Sequence, residues 1–213
     1  MPSLLDPIRE KLAETTARKP RGWLGRLMYG RLAALDTYSR LALEKLQLTA
    51  DDRYLEIGQG GGLLLEKALE TAASGAAIDH SPEMVALASE RNADAVEAGR
   101  CEVVAGDAEA LPWPDGAFTC CACIATFLFF QQPTRVLAEI RRALAPGGRL
   151  VVITPSEDAP AFVRKLLRSS EGGVHLYAPA DFEALLHQAG FAEWTVGIEK
   201  KRLVCHASTG ENS

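Results

Sequence analysis

The chain has 213 residues, of which 47% are hydrophobic and 24% charged, and its formal net charge is −5 at pH 7. This length suits one α/β domain that needs no disulfide or metal to fold, and the acidic balance disfavours nonspecific binding to nucleic acid. Because neither a membrane-spanning apolar run nor a signal-peptide pattern occurs, the composition predicts a cytoplasmic protein without stable membrane insertion.

The first predicted elements are helices in residues 1–48, whose helical patterns are interrupted by Pro-Arg-Gly at 20–22. We expect these residues to precede a main domain formed by residues 49–213. The segment 20–33 combines arginines with Trp23 and leucines. Contact with a membrane surface therefore stays open as an interpretation, although this basic amphipathic stretch is short.

A glycine-rich loop lies between the first predicted strand, 53–58, and a predicted helix at 61–73. Its glycines occupy alternate positions, at Gly58, Gly60 and Gly62. Without a Cβ the backbone turns sharply and allows a ligand to approach closely, while the helix start offers free N–H groups. The pattern predicts a nucleotide-type site, and a plain turn between strand and helix is the alternative.

Two common nucleotide-binding motifs do not fit this loop. The dinucleotide fingerprint requires a third glycine where the chain has Leu63 or Leu65, depending on the starting glycine. The loop also lacks the lysine and the hydroxyl residue of a triphosphate-binding P-loop. The remaining pattern is an acid, Glu56, followed by the alternate glycines.

Two further acids follow the next two apolar runs. Asp79 ends the first run, where a carboxylate suits both hydroxyls of a ribose, with a solvated acid as the alternative. Residues 81–83, Ser-Pro-Glu, are typical of a helix start. Asp107 follows the second run and is placed to accept a hydrogen bond from an exocyclic amine such as that of adenine, or else to cap a turn.

The rest of the chain continues this alternation of strands and helices. Continuous apolar strands separated by helices predict a parallel sheet that is covered on both faces. The predicted strands are 53–58, 75–79, 102–106, 118–125, 149–154, 192–199 and 202–208, and the predicted helices are 61–73, 82–97, 134–145 and 180–189.

Three of the five cysteines, Cys120, Cys121 and Cys123, lie in the fourth predicted strand. Neighbouring strand residues point to opposite faces, so Cys120 and Cys121 do not share one site. Cysteine is commonly buried as a small apolar residue. We therefore predict a buried strand here and no metal site.

Four segments carry a resemblance to a known family. They are 56–62 (Glu-Ile-Gly-Gln-Gly-Gly-Gly), 78–84 (Ile-Asp-His-Ser-Pro-Glu-Met), 106–112 (Gly-Asp-Ala-Glu-Ala-Leu-Pro) and 144–150 (Leu-Ala-Pro-Gly-Gly-Arg-Leu). In this order they resemble the class I S-adenosylmethionine-dependent methyltransferases, specifically the type 11 group that acts on small molecules. The resemblance implies an α/β fold with a doubly wound, mostly parallel, seven-stranded Rossmann-like sheet that ends in a hairpin with an antiparallel final strand.

The resemblance also implies S-adenosylmethionine as cofactor and S-adenosylhomocysteine as product. The glycine loop and Glu56 would hold the methionine part, and Asp79 would bind the ribose hydroxyls. His80 would lie against adenine, whose edge Asp107 and the next N–H would read. The implied cofactor site is Glu56, Gly58, Gln59, Gly60, Gly62, Asp79, His80, Met84, Gly106, Asp107, Ala108, Ile124 and Ala125.

Three positions depart from the resembled pattern. Gln59 replaces the cysteine or serine that is common after the first glycine, and Thr119 stands where an aspartate usually follows the phenylalanine. We expect cofactor binding to tolerate both changes. Phe129 and Phe130 replace a pair that often contains histidine, which removes a base and makes the pocket rim more apolar.

In the resembled family the N-terminal helices cover the cofactor and shape the acceptor pocket, so residues 1–48 are predicted to form a helical cap or lid. The aromatic residues of this cap either line the pocket or only anchor its helices to the main domain. The predicted pocket residues are Trp23, Tyr29, Tyr38, Phe127, Phe129 and Phe130.

A methyl group on a sulfonium is already activated, so the protein needs mainly to align the acceptor and exclude water. A general base is required only when the acceptor must lose a proton. His175 and Tyr177, on a predicted lid, are the catalytic candidates, and a loop histidine without a catalytic role is the alternative. Residues 125–128, Ala-Thr-Phe-Leu, lack the Asn/Asp-Pro-Pro-aromatic motif of enzymes that methylate adenine or glutamine amino groups, which favours a small, partly apolar acceptor.

Two other classes of function stay open. A nicotinamide oxidoreductase would use a similar sheet, but Leu63 and the Gly106-Asp107 pair disfavour it. A methyltransferase-like protein that binds the cofactor without catalysis would be favoured if the phenylalanines sealed the acceptor pocket. The predicted partner is a small-molecule acceptor and no nucleic acid, and a homodimer is left open.

Overall fold

The computed structural model describes residues 33–159 and 174–211. Trp23, Tyr29 and nearly all of the predicted membrane-contact segment lie outside the described residues. The described elements are α1 (Ala33–Leu46), β1 (Arg53–Ile57), α2 (Leu63–Ala68), β2 (Ser74–Asp79), α3 (Pro82–Arg91), α4 (Ala93–Glu97), β3 (Cys101–Ala105), β4 (Phe118–Ile124), a 3₁₀ turn (Phe127–Phe129), α5 (Pro133–Ala143), β5 (Leu144–Pro155), α6 (Pro179–Ala189), β6 (Glu193–Glu199) and β7 (Arg202–Ser208).

Seven strands of the described chain form one sheet in the order β3-β2-β1-β4-β5-β7-β6. Strands β1 to β5 pair in parallel, and β7 runs antiparallel to both β5 and β6. This arrangement confirms the predicted doubly wound, mostly parallel sheet and its closing hairpin. No helix in the described ranges is both long and apolar enough to cross a bilayer.

Each face of the sheet is covered by its own apolar cluster. Cys121 and Cys123 pack on one face with Ile140 of α5, whereas Cys120 packs on the other face with Leu46 of α1. All five cysteines are buried and unpaired, and burial raises the pKa of the Cys121 thiol. The prediction of a buried cysteine strand is confirmed, and the described residues hold no group of three or more metal-ligating side chains.

A buried carboxylate, Asp52, holds the amino edge of the sheet together. It accepts hydrogen bonds from Thr119 Oγ1 at 2.6 Å, from the Thr49 N–H at 2.8 Å and from Arg149 Nη2 at 2.8 Å. Arg149 also donates to the Leu46 carbonyl at the end of α1. Burial by itself would raise the pKa of Asp52, but these bonds outweigh it and lower the pKa to about 2. Thr119, a departure from the family pattern, is thus part of a structural network.

The helical prediction over 82–97 is confirmed for 15 of its 16 positions, but the chain breaks at Asn92 into α3 and α4. The Asn92 side chain donates to the carbonyls of Ala88 at 2.8 Å and Gly62 at 3.3 Å. Asparagine side chains compete with the backbone in this way and end helices. The N-terminal part of the same prediction is confirmed, since Ser81 caps α3 and a proline follows it.

The predicted helix 61–73 is also longer than the observed α2. The helix begins only after Gly62, which adopts a left-handed conformation with φ 74°. It ends at Ala68 because the chain then turns toward the sheet, where the Ala73 N–H donates to the Asp52 carbonyl at 3.0 Å and leads into β2. Hydrogen bonding to the sheet therefore sets the end of this helix.

Candidate cofactor site

The glycine loop, Asp79 and Asp107 meet at the carboxyl edge of the sheet. The register pairs Ile57 with Ile78 and Asp79 with Ala105, so β1, β2 and β3 end side by side. The segments that follow these strands, together with the segment after β4, line one cavity of about 440 Å³. The cavity lies where the strand order reverses between β1 and β4, which is the usual ligand position in doubly wound sheets.

All the predicted cofactor residues except Gly62 line this cavity. Sequence reasoning missed several others, because nothing in the local pattern distinguishes a lining residue from an ordinary one. The additional lining residues are Ser39, Ile57, Gly61, Leu63, Leu64, Ile78, Glu109, Thr126 and Gln131.

Gly58 is the position where a side chain is least tolerable. Its φ is +70°, and a Cβ built there would overlap the Thr126 side chain. The Thr126 hydroxyl lies 3.2 Å from the Gly58 carbonyl oxygen and is placed to donate to it. Thr126 therefore holds the first glycine of the loop against the end of β4, a role that only the pairing of β1 with β4 reveals.

Gly62 has a structural role in the loop. A Cβ at this position would lie 2.8 Å from Asn92 Nδ2 and 2.9 Å from the Ala88 Cβ. The absence of a side chain therefore allows the start of α2 to approach α3 closely. This close approach explains why Gly62 belongs to the motif although it does not line the cavity.

Asp79 is a buried, oriented carboxylate in the cavity wall. It is 9% exposed, and its two oxygens accept hydrogen bonds from the Gly60 N–H at 3.1 Å and the Ser81 N–H at 2.9 Å. His80 Nδ1 lies 3.3 Å from Oδ1. A carboxylate has about four acceptor positions, so Asp79 retains capacity for the two hydroxyls of a ribose.

Glu56 lies beneath the glycine loop with an unusual proton affinity. The residue is 4% exposed, and within residues 33–159 and 174–211 its Oε2 has no hydrogen-bond partner. Burial raises the pKa of Glu56 to about 8 and the charge of Asp79 adds to the shift, while the neighbouring Tyr54 hydroxyl and the Leu65 backbone N–H oppose it. An unpartnered oxygen of this kind suits a cationic group of a ligand, such as an ammonium.

The loop that carries Asp107 is held in place by α5. Asp107 itself caps a turn, because its Oδ1 accepts from the Glu109 N–H at 2.9 Å. Further along, Glu139 accepts from the Leu111 N–H at 2.9 Å and Arg142 donates to the Leu111 carbonyl at 3.1 Å. Asp107 is exposed at the cavity edge, so its second oxygen can face a ligand.

The far side of the cavity is apolar. Ile124, Phe129 and Phe130 line it, and Ala125 follows β4 in the left-handed region with φ 55°. The latter conformation is uncommon for a residue other than glycine and is often found near functional sites. Phe127 is fully buried and stands outside the described lining.

Three other predicted site residues lie away from the described lining. Tyr38 packs under Arg202, whose guanidinium carbon is 4.3 Å from the ring centre. Tyr177 is 7% exposed, its ring centre is 5.6 Å from that of Phe127, and burial raises its pKa to about 12. His175 is exposed, and its backbone N–H donates to the Leu128 carbonyl at 2.9 Å. The catalytic assignment of His175 and Tyr177 stays a prediction.

The residues present fit S-adenosylmethionine. The cavity of about 440 Å³ falls within the size range of small-molecule and cofactor sites. Asp79 suits the ribose diol, and the unpartnered oxygen of Glu56 suits the amino group of the methionine part. Gly58 has no side chain, because a Cβ there would overlap Thr126. Its backbone therefore lines the cavity directly, beside the position where the methionine part of the cofactor would lie.

Comparisons with known proteins show which proteins this chain resembles. The sequence model of a family described as a methyltransferase domain matches residues 55–152. A demethylmenaquinone methyltransferase from Thermus thermophilus is 35% identical over 164 residues, which cover 68% of this chain and 70% of the relative. Two other curated relatives are matched over 36% and 33% of their own length, so the chain spans about a third of each of them.

Solved structures share the fold at low sequence identity. A geranyl diphosphate C-methyltransferase from Streptomyces coelicolor, in complex with S-adenosyl-L-homocysteine, has a TM-score of 0.70 and 13% identity, over 82% of this chain and 76% of that one. The cyclase SpnF has a TM-score of 0.70 and 21% identity, over 84% and 82% of the two chains. The fold by itself therefore does not specify the reaction. The sequence relationship to the Thermus protein shows the family: the chain belongs to the class I S-adenosylmethionine-dependent methyltransferases.

Proposed function

We propose that this protein transfers a methyl group from S-adenosylmethionine to a small, partly apolar ring compound. The observation that carries the proposal is one continuous cavity with two unlike halves. One half has Glu56, Asp79 and the glycine loop, and the other has Ile124, Phe129 and Phe130. A polar cofactor and an apolar acceptor would meet between them.

The bound cofactor supplies an activated methyl group on a positively charged sulfur, which leaves as a neutral thioether. The protein's part is to hold the acceptor in line with this group and to exclude water. The mostly apolar wall after β4 serves both purposes, because Ile124, Phe129 and Phe130 offer no polar side-chain group to retain water. A general base is needed only for an acceptor that must lose a proton.

The acceptor side favours an uncharged ring. No lysine or arginine is among the described residues that line the cavity, so this part of the chain offers no cation for a phosphate or carboxylate group of an acceptor. Demethylmenaquinone, named in the Thermus relative, is an apolar ring compound of the kind that such a wall would accept. A reduced quinone-like ring is therefore the first acceptor class to test. Such a ring gains the methyl group at carbon or oxygen and loses one proton from the same atom, which passes to water or to a general base.

The direct test is release of S-adenosylhomocysteine from S-adenosylmethionine with a panel of acceptors. We expect turnover with a short-chain reduced naphthoquinone and none with a prenyl diphosphate. Turnover with the diphosphate alone would contradict the proposed acceptor class. Tight cofactor binding without turnover for any apolar ring would favour the alternative, a methyltransferase-like protein that binds without catalysis.

The cavity beside Phe129 and Phe130 argues against this alternative. A pocket sealed by these rings would favour a binding protein, but in the described part of the chain Phe129 and Phe130 both line the cavity. Of the three predicted pocket phenylalanines, Phe127 alone is fully buried. The division into a cap of residues 1–48 and a main domain of 49–213, a cytoplasmic location and a homodimer remain predictions. Light scattering of the purified protein tests the last of them.

Replacing Phe129 with alanine is expected to raise KM for an apolar acceptor about tenfold, because burial of a ring against the acceptor is lost. Affinity for S-adenosylhomocysteine should stay within about twofold, since the side chain faces the apolar half of the cavity. Steady-state kinetics and calorimetry measure the two effects. Phe129→Leu, which keeps an apolar wall, should raise KM for the acceptor much less. If Phe129→Ala weakened S-adenosylhomocysteine binding as much as it raised KM for the acceptor, the assignment of Phe129 to the acceptor would be contradicted.

Cofactor binding is expected to release close to one proton per molecule at pH 7. Since the pKa of Glu56 is about 8 in the ligand-free protein, most molecules carry the proton at this pH. An ammonium group against Oε2 favours the carboxylate and lowers that pKa, so the proton leaves on binding. Titration calorimetry at pH 7 in buffers of different ionisation enthalpy measures the release.

Glu56→Gln should abolish this proton release and weaken binding about tenfold. Glu70→Gln, which removes an exposed acid near the end of α2, is the control and should behave like the wild type. Proton release that persists in Glu56→Gln would show that another group titrates, and it would remove Glu56 from the proposed ammonium contact.

A further inference from the structure

Gln59 stands out in the cavity wall as a buried amide without partners. It lies between the first two glycines of the loop, is 5% exposed and lines the cavity. Neither Oε1 nor Nε2 has a hydrogen-bond partner among the residues that the structure describes. The family pattern gives no reason for a glutamine here, since it commonly has a small residue at this position.

An amide in this state destabilises the ligand-free protein. Buried polar groups are nearly always hydrogen-bonded, because an unpartnered one has lost water without replacement. Three residues earlier, Oε2 of Glu56 is also unpartnered in the same wall. The end of β1 and the loop that follows it thus hold three polar atoms without a partner among the described residues beside one cavity. This is the arrangement expected when a ligand supplies their partners.

The chemistry of these atoms indicates which end of the ligand they take. Glu56 suits an ammonium, and the NH₂ group of Gln59 is a neutral donor that suits a carboxylate. The described lining contains no lysine or arginine that would serve the carboxylate instead. The two groups together match an α-ammonium and an α-carboxylate on one carbon, as in the methionine part of the cofactor.

We propose that the Gln59 amide binds the carboxylate of the amino-acid end of the cofactor and makes the site selective for ligands that carry this group. The amide turns toward the cavity when the ligand enters and gains the partner that it lacks in the free protein. This inference rests on the proposed function, since it assigns a role to the same cofactor site. It identifies Gln59 as a specificity-determining residue.

The test compares two ligands that differ only at the relevant end. S-adenosylhomocysteine carries the amino-acid group, and 5′-methylthioadenosine keeps adenosine and the thioether without it. Gln59→Leu, of similar volume, is expected to lower the affinity for S-adenosylhomocysteine about tenfold in calorimetry. The affinity for methylthioadenosine should stay within about twofold of the wild-type value. Gln188→Leu, at an exposed position of α6, is the matched control and should change neither.

A second variant and a stability measurement separate this role from damage to the loop. Gln59→Glu places a negative charge against the carboxylate of the ligand. It should therefore weaken binding of S-adenosylhomocysteine more strongly than Gln59→Leu does, again without affecting binding of methylthioadenosine. Because leucine removes the unpartnered amide, the melting temperature of ligand-free Gln59→Leu should rise by about 2–4 °C.

Several results would overturn the inference. Equal losses of affinity for both ligands in Gln59→Leu would mean that the side chain only supports the loop. A lower melting temperature of this variant would mean the same. Unchanged binding of both ligands, with a changed KM for the acceptor, would place the amide on the acceptor instead. A wild-type protein that binds neither ligand would refute the proposed function itself, and the inference with it.

Discussion

Replacing Asp79 with alanine is expected to weaken S-adenosylmethionine binding on the order of a hundredfold while the protein stays folded. The carboxylate is 9% exposed and already oriented by the N–H groups of Gly60 and Ser81, so little has to reorganise when a ligand enters. A hydrogen bond to a charged group contributes roughly 1.5–3 kcal/mol, and each 1.4 kcal/mol is about tenfold in affinity. Titration calorimetry measures the loss.

Two comparisons isolate the ribose contact. Glu83→Gln removes an exposed acid from the first turn of α3 and should leave the affinity unchanged, which excludes a general effect of charge. The 2′-deoxy analogue of S-adenosylhomocysteine lacks one proposed partner, so the effect of Asp79→Ala should be smaller for it. An undiminished effect with this analogue would mean that Asp79 acts through the Gly60 loop and not on the ribose.

Replacing Asp52 with asparagine is expected to lower the free energy of unfolding by about 2–3 kcal/mol at pH 7. Asp52 is 3% exposed and bonds to Arg149, Thr119 and the backbone of Thr49. The change removes the negative partner of Arg149 and one acceptor from a network that joins α1 to the sheet. Urea denaturation measures the loss, and cofactor affinity of the folded variant should be unaffected because the network lies at the opposite edge of the sheet.

This loss is expected to depend on pH. The pKa of Asp52 is about 2 in the folded protein and 3.8 for an ordinary aspartate. Because the folded value is lower, the carboxylate stabilises the protein fully above about pH 4, and this contribution disappears as the pH falls toward 2. The difference between wild type and Asp52→Asn should therefore shrink between pH 4 and pH 3. Asp51→Asn, at an exposed neighbouring position, should show no such dependence.

Much of the cofactor site was predictable because its parts lie at strand ends. The positions of Glu56, Asp79 and Asp107 follow directly from three apolar runs, and parallel strands bring their carboxyl ends to one edge. Gly58 was similarly informative. Its left-handed backbone and its close contact with Thr126 both require a residue without a Cβ, so the sequence has a glycine at this position. These features are local, so a local pattern suffices to detect them.

The remaining parts of the site depend on contacts between distant residues. Thr126 contacts Gly58 across 68 positions of sequence, and Arg142 holds the loop after β3 across 31 positions. No periodicity or motif marks either residue. The same limit explains why the break within the helix predicted over 82–97 was missed, because the Asn92 side chain bonds to Gly62 as well as to its own helix.

Burial is the property that the sequence indicated least well. Phe127 and Phe129 are two positions apart in one apolar segment, yet the first is fully buried against Tyr177 and Phe182 and the second lines the cavity. The raised pKa of Glu56 and the unpartnered amide of Gln59 also arise only when other segments exclude water from these side chains.

The sequence by itself therefore determined the order of strands and helices, the glycine loop and the acids at the strand ends, because each depends on backbone conformation over a few residues. Only the tertiary structure decided which side chains line the cavity, which are unpartnered and which carry a proton. Those properties depend on the solvent access and hydrogen-bond partners of each group, and both are set by segments that are distant in sequence and adjacent in the fold.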